Sequence, residues 1–211
     1  GYTAQLGSGA ELYAAFGARV PVVSDLRSLD VALGGQGAPL VPVADAFLFC
    51  EYEACLNLGG FSNISLDRDG RRLAWDVGPC NLVLNVLAQR QGLPFDSSGQ
   101  LAASGDVLPE LFADWMNLPY HNEMAPKSLG VEWLQQSFWP VLEQHEHNGT
   151  LVTEDLLATA VAYIAAQARL ATNGRKTLVT GGGALNEELV RRFGEVSPIG
   201  EGDVPFEAII P

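Results

Sequence analysis

Between residues 54 and 81 three short β-like runs arrive in quick succession and lead directly into a helix, which commits this chain to a layered α/β arrangement. Ala54 to Leu58 is an apolar run of strand length, Phe61 to Leu66 is a second, and Arg72 to Trp75 is a third. Gly59-Gly60 separates the first pair, and Asp69-Gly70, a dipeptide that favours a two-residue hairpin, separates the second. Asp76-Val-Gly-Pro-Cys-Asn81 then opens an amphipathic helix that runs to about Gln91, with Gly92 suited to its C-cap. Helical segments are predicted at 106–116 and 130–144, and a long helix is predicted from Thr153, as its cap, to about Thr172, with Gly174 ending it. Lys176 to Thr180 reads as a strand that runs straight into Gly181-Gly-Gly183, followed by a helix at about 185–193. The order describes an α/β layer with an antiparallel portion.

The first fifty residues are less regular. Ser8 and Glu11 form a capping box for a short helix at 8–16, and Gly17 stops it. Val20 to Ser24 is β-like, 25–30 has little periodicity, 34–39 is a glycine-rich loop, and 43–49 returns to helix. A boundary near residue 52 separates this part from the strand-rich remainder. With 47% hydrophobic and 18% charged residues the composition is globular. A net charge of −13 argues against a nucleic-acid or anionic-membrane partner. It also means that bound phosphates would rely on backbone N–H groups, a metal ion and a few placed cations. Cys50, Cys55 and Cys80 form no C-x-x-C pair and read as reduced thiols of a cytosolic protein. No apolar run reaches the roughly 20 residues of a membrane span. The chain starts at Gly1 without a signal-peptide pattern and stops at Ile209-Ile210-Pro211, and it reads as cut at both ends.

Four stretches can carry chemistry. In Leu56-Asn-Leu-Gly-Gly-Phe-Ser-Asn-Ile64, Gly59 and Gly60 either let a phosphate approach backbone N–H groups or simply turn the chain between two core strands. Asp76, at a strand end before a helix start, is either a general base for a water or a helix cap. Gly181, Gly182 and Gly183 follow a strand and precede a helix, a frequent place for nucleotide contact as well as for a plain turn. Gly34-Gly-Gln-Gly-Ala-Pro39, with Arg27 and Asp30 before it, could wrap a polar ligand or be an ordinary loop. There is neither a Walker loop nor a G-x-G-x-x-G fingerprint. His145-Glu-His147 is a weak metal signal without a third ligand, so no metal ligand is assigned. Lys127 could stand near an anionic ligand, and Asn63 and Asn148 fit a sequon that means little without a secretory signal.

Taken in order, these stretches resemble the anhydro-N-acetylmuramic acid kinase family. The resemblance rests on 56–64, Trp75-Asp-Val-Gly-Pro-Cys-Asn81, Ala125-Pro-Lys-Ser-Leu-Gly-Val-Glu132 and Val179-Thr-Gly-Gly-Gly-Ala-Leu-Asn186, and on Ser24 to Asp30 and Gly34 to Pro42. It implies a ribonuclease-H-like lobe of the sugar kinase/Hsp70/actin superfamily over 53–211, incomplete at its C-terminus, with 1–52 belonging to the other lobe. The implied reaction adds water to C1 of 1,6-anhydro-N-acetylmuramic acid and transfers the γ-phosphoryl group of ATP, with Mg2+, to O6. The product is N-acetylmuramic acid 6-phosphate, an intermediate of cytoplasmic cell-wall recycling. The resemblance implies Asp76 as catalytic base and Gly59, Gly60, Gly181, Gly182, Gly183 and Asn186 as nucleotide contacts. Arg27 and Asn81 become sugar contacts, and a homodimer is compatible with the family. Two family segments, a Gly-Thr-Ser-x-Asp-Gly phosphate loop and a Gly-His-Asp-Gly-Gln stretch, are absent, and Cys80 stands where many relatives have Gly. The given piece alone is therefore expected to bind ATP poorly. The competing readings are an inactive or decayed binding module of the same fold and a superfamily phosphotransferase for a different acceptor.

Overall fold

The computed structural model describes residues 8–34, 40–147, 149, 151–194 and, for the backbone alone, 206–208. The loop at 35–39, the sequon at Asn148 and the terminal Ile209-Ile210-Pro211 lie outside the described residues. The chain divides into two compact units, Gly1–Val41 and Pro42–Pro211, so the division falls before the residue-52 boundary read from the sequence.

In the first unit, helix α1 (Gly9–Ala15) begins as its sequence dictates, with the Glu11 N–H donating to Ser8 Oγ at 3.3 Å and Gly17 turning left-handed after it. Val20 to Ser24 is irregular and not β-like, and the described residues of this unit offer it no strand to pair with. The unpatterned 25–30 stretch instead becomes helix α2 (Leu26–Ala32). Its start is local: Asp25 adopts φ 59°, and the Ser28 hydroxyl donates to Asp25 Oδ1 at 2.6 Å.

Helix α3 (Val41–Leu48) starts at the last residue of the first unit and carries Pro42, the first of the second, in its first turn, where a missing N–H costs nothing. The three expected strands follow as β1 (Ala54–Leu58), β2 (Phe61–Arg68) and β3 (Arg71–Pro79). Asp69 and Gly70 take φ 52° and 74°, as a type I′ turn requires, so Arg68 faces Arg71 directly. Helix α4 (Asn81–Ala88) leaves β3 and tightens through a 3-10 turn to Gly92 at φ 73°. After α5 (Gln100–Ser104), α6 (Pro109–Met116) starts later than the 106–116 expectation. The N–H groups of Asp106 and Leu108 are drawn instead to Asp155 Oδ1 and Thr159 Oγ1, at 2.8 and 2.9 Å.

The 130–144 expectation becomes α7 (Val131–Trp133), a π-helical turn (Leu134–Phe138) and α8 (Trp139–His147). The wide turn sits just before Pro140, whose ring lacks an N–H and crowds the preceding turn. Helix α9 (Thr153–Thr172) takes Thr153 as its first residue and not as its cap, which is Val152 without a side-chain bond. Glu154 and Asp155 in its first turn face the positive helix end. Strand β4 (Thr177–Thr180), a 3-10 turn (Gly182–Leu185), α10 (Glu187–Gly194) and β5 (Phe206–Ala208) complete the described unit.

The sheet order is β3-β2-β1-β4-β5, antiparallel across β3, β2 and β1 and parallel across β1, β4 and β5, which is the ribonuclease-H-like arrangement. One sheet face carries Leu56, Leu58, Ile64, Leu66, Val77 and Val179 into the main core. Helix α9 lies within that core, and with twelve of its 20 residues buried it is apolar nearly all round. Trp115 of α6, Phe138 and Tyr163 of α9 close the core, the first two rings stacked at 4.4 Å. The other face has only a small cluster of Tyr52, Cys55 and Leu178 with Phe49 at one end. Toward the end of β1 that face carries the polar residues Asn57, Asn63, Asp76 and Thr180.

Candidate functional site

That polar face is built by strand register. Asn57 of β1 pairs with Thr180 of β4 on one side and with Asn63 of β2 on the other, and Asn63 pairs with Asp76 of β3. Directly opposed residues share a face, so Thr180, Asn57, Asn63 and Asp76 form one polar row across four strands. A β-bulge makes the row possible. Ser62 pairs with Gly78 but Asn63 pairs with Asp76, which leaves Val77 as the extra residue. A regular ladder from Ser62 would set Asp76 against Ile64, a core residue 1% exposed. The bulge thus turns the carboxylate out of the core while Val77 stays in it.

Asp76 is held by the segment that follows α6. The Leu129 N–H donates to Asp76 Oδ2 at 2.8 Å, the Asp76 N–H donates to Lys127 O at 3.0 Å, and the Tyr120 hydroxyl donates to Asp76 O at 2.6 Å. Burial pushes the Asp76 carboxyl above its ordinary range, and the Leu129 bond opposes that rise. A half-buried carboxylate with a raised pKa and one fixed oxygen is a better proton acceptor than an ordinary surface Asp.

The two glycine turns meet over Asn57. A Cβ at Gly59 would sit 3.0 Å from Asn57 Nδ2, and one at Gly181, where φ is +87°, would sit 2.5 Å from Asn57 Oδ1. A Cβ at Gly183 would come within 2.6 Å of Leu58 Cβ and 3.3 Å of Cys80 Sγ. Gly181 and Gly183 are therefore glycine because the turn packs against β1, whereas Gly182 is exposed and a Cβ there would make only a 3.5 Å contact with Asn81 Nδ2. The carbonyls of Gly59 and Gly60 accept the first N–H groups of α4, from Asn81 at 3.1 Å and Leu82 at 3.2 Å. Asn81 Nδ2 donates to Leu58 O at 3.0 Å and ties the helix to the end of β1. Cys80, buried where the turn is tightest, has its thiol pushed up to about 12 by that burial.

Beside Gly182 lies a cavity of about 270 Å³ lined by Asn81, Asn85, Phe95, Asp96, Gly182 and Asn186, among others. Two of the sequence-derived nucleotide contacts, Gly182 and Asn186, and one sugar contact, Asn81, thus share one pocket. Asn186 Oδ1 accepts the Leu189 N–H at 2.9 Å and caps α10, so that oxygen has a structural partner. Asp96 accepts the N–H groups of Leu101 and Ala102 at 2.9 and 3.0 Å and caps α5. Asp96→Ala strands two backbone donors, one of them buried. The expected cost is about 1–2 kcal/mol, read as a lower denaturation midpoint in urea.

Arg27 belongs to the first unit, exposed on α2. Lys127 does not face outward as a free cation: Nζ donates to Tyr120 O at 2.7 Å and lies 4.3 Å from the centre of the Tyr120 ring. His145 bonds Asp114 at 2.8 Å and His147 bonds the Glu143 carbonyl, and among the described residues no three His, Cys, Asp or Glu side chains gather to hold a metal. A larger cavity, about 670 Å³, opens against the core-side residues Trp75 and Val77 and is also lined by His121 and Lys127, whereas Asp76 does not line it. The sequence reading missed Asn57, Asn63, Thr180, Asp96 and Tyr120. An Asn interrupting an otherwise apolar strand at Leu56-Asn57-Leu58 was the one available signal for the row.

Known proteins share this sequence at length. The family model described as anhydro-N-acetylmuramic acid kinase matches residues 1–201. Anhydro-N-acetylmuramic acid kinase of Pseudomonas fluorescens is 39% identical over 210 residues, covering 94% of this chain and 56% of that protein. The enzyme of the same name from Methylobacterium nodulans is 40% identical over 218 residues, covering 95% and 55%. The chain thus spans about half the length of the curated relatives it matches. Among solved structures, component A of (R)-2-hydroxyglutaryl-CoA dehydratase from Acidaminococcus fermentans is similar with a TM-score of 0.46 and 15% identity, over 80% of this chain and 59% of that one. With the ribonuclease-H-like sheet, the glycine turns joined at Asn57 and a family match that runs through both compact units, this chain belongs to the anhydro-N-acetylmuramic acid kinase family.

Proposed function

We propose that the full-length protein containing this chain is a kinase that opens 1,6-anhydro-N-acetylmuramic acid with water and phosphorylates O6, with Asp76 as the base. The observation that carries the reading is the polar row, in which a bulge presents Asp76 on the same sheet face as Asn57, the residue that touches both glycine turns. Asp76 takes one proton of the water as its oxygen bonds to C1 of the sugar. The C1–O6 bond breaks, and O6 becomes the acceptor. When bound, MgATP supplies the phosphoryl group that O6 accepts and the metal charge that offsets the phosphates.

The residues fit the nucleotide in parts. The cavity beside Gly182 has amides at Asn81, Asn85 and Asn186, apolar walls at Leu84, Phe95 and Leu185, and no Lys or Arg, which suits an uncharged nucleoside. Phosphates are better served by the N–H groups of Gly59 and Gly60, since the carbonyls of that turn are engaged with α4. A Mg2+ in this reading is carried on substrate phosphates and waters. Residues 1–52 belong to the other lobe in this reading, and Arg27 is a sugar contact. The reaction takes place in the cytoplasm, and a homodimer is the proposed assembly.

A coupled ADP-release assay of the full-length protein tests this reading. ADP should form only when the anhydro sugar is present, and one phosphorylated sugar should appear per ADP. ADP release that ignores the anhydro sugar, or that responds equally to a simple hexose, would overturn it.

A further inference from the structure

We infer that Tyr120 and Lys127 are positioning residues that set the attack geometry of Asp76, and that Lys127 serves this brace instead of contacting an anionic ligand. The inference rests on Asp76 as the base. Asp76 has four polar atoms, and three of them are held from one segment: N by Lys127 O, O by Tyr120 Oη, and Oδ2 by the Leu129 N–H. Only Oδ1 is left for a water. This matters because a bulged strand lacks part of its ladder at the very residue it re-aims. The neighbouring strand cannot fix Asp76 alone, and the 120–129 segment does so from the far side.

The brace is itself closed. Lys127 Nζ donates to Tyr120 O at 2.7 Å and to His121 O at 3.4 Å, and it lies over the Tyr120 ring. One lysine therefore joins both ends of the segment that grips the strand. Next to it, His121 Nε2 and the buried Tyr163 hydroxyl are 2.8 Å apart, which fastens the segment to α9. A Cβ at Gly78, two residues past Asp76, would already lie 3.4 Å from that Tyr163 hydroxyl, so the strand and its brace pack without slack. Tyr120 is 4% exposed and Lys127 has its charge partly desolvated, burial pulling its ammonium below the usual range.

Two variants of the full-length protein test the inference, each assayed by ADP release with 1,6-anhydro-N-acetylmuramic acid. Tyr120→Phe keeps the ring and removes only the donor to Asp76 O. Lys127→Met keeps the stem and removes the tie. Both should lower kcat by about 10- to 100-fold with KM for ATP and for the sugar changed less than about twofold, since small misplacements of a reacting group cost that much. The acidic limb of the kcat/KM profile should also move to higher pH in both, because a displaced Asp76 loses the Leu129 N–H that favours its charged form. A purely structural role would leave that limb in place.

Parent-like kcat in Tyr120→Phe overturns the brace. A rise in KM for ATP or sugar with kcat unchanged in Lys127→Met overturns it too, and would return Lys127 to ligand binding. If Tyr120→Phe does not fold, the Lys127→Met kinetics and pH profile decide alone. Failure of the kinase reading would look different: the parent protein itself would not turn over the anhydro sugar.

Discussion

Asp76→Asn is expected to reduce turnover of the anhydro sugar by about 10²- to 10⁴-fold in the full-length protein, the range that a positioned base contributes. Asparagine is nearly the same size, and its carbonyl oxygen still accepts the Leu129 N–H that holds Oδ2 at 2.8 Å. The strand contacts through Asp76 N and O are backbone contacts and survive the change. Nucleotide affinity should therefore remain at the parent value, measured by calorimetric titration with a non-hydrolysable ATP analogue. Turnover near the parent rate would show that Asp76 is not the base. Loss of nucleotide binding along with turnover would show that the carboxylate supports the fold more than the chemistry.

The second large effect is structural. Gly181→Ala meets two penalties at once: a left-handed φ of +87° and a Cβ placed 2.5 Å from Asn57 Oδ1 and 2.8 Å from Leu58 O. Strain of about 1–2 kcal/mol adds to overpacking of about 1–3 kcal/mol. In the full-length protein that is expected to lower Tm by several degrees and to weaken nucleotide binding, because the displaced atoms belong to the turns. Gly182→Ala is the internal control. Its Cβ would make an ordinary 3.5 Å contact with Asn81 Nδ2, so Tm should stay within about a degree. Equal destabilisation of the two variants would contradict the packing described here.

The elements governed by local chemistry were legible in the sequence. The Asp69-Gly70 hairpin, the Ser8 cap, the Gly92 stop and the triple-glycine turn all carry their instructions within a few residues, and each was found where it was read. The misses share a different cause. Helix α2 hides its start in a side-chain bond from Ser28 to a left-handed Asp25, which no apolar period announces. The late start of α6 depends on Asp155 and Thr159, about fifty residues further along the chain. The bulge at Val77 reverses the inside–outside alternation of β3, so a strict period-two reading from Pro79 backwards would assign Asp76 to the core.

The same limit applies to the site. Asp76 and the glycines stood out by residue type and spacing, but their partners came from other strands. Asn57 and Asn63 look like flaws in apolar strands until the register sets them side by side. Lys127 looked like a spare cation because its acceptors, the carbonyls of Tyr120 and His121, are backbone atoms that a sequence does not advertise. Asn186 looked like a ligand contact, and its amide oxygen proves to be occupied with the start of α10.

Asn57 has a mechanical consequence. Its amide is wedged between the backbone at Gly59 and the backbone at Gly181, with atoms 3.0 and 2.5 Å from where their Cβ atoms would be. Close-packed neighbours of this kind transmit displacement instead of absorbing it. Asn57 is thus a shared contact of both loops, and a substitution that enlarges or empties this position is expected to disturb the two turns together, not one of them alone.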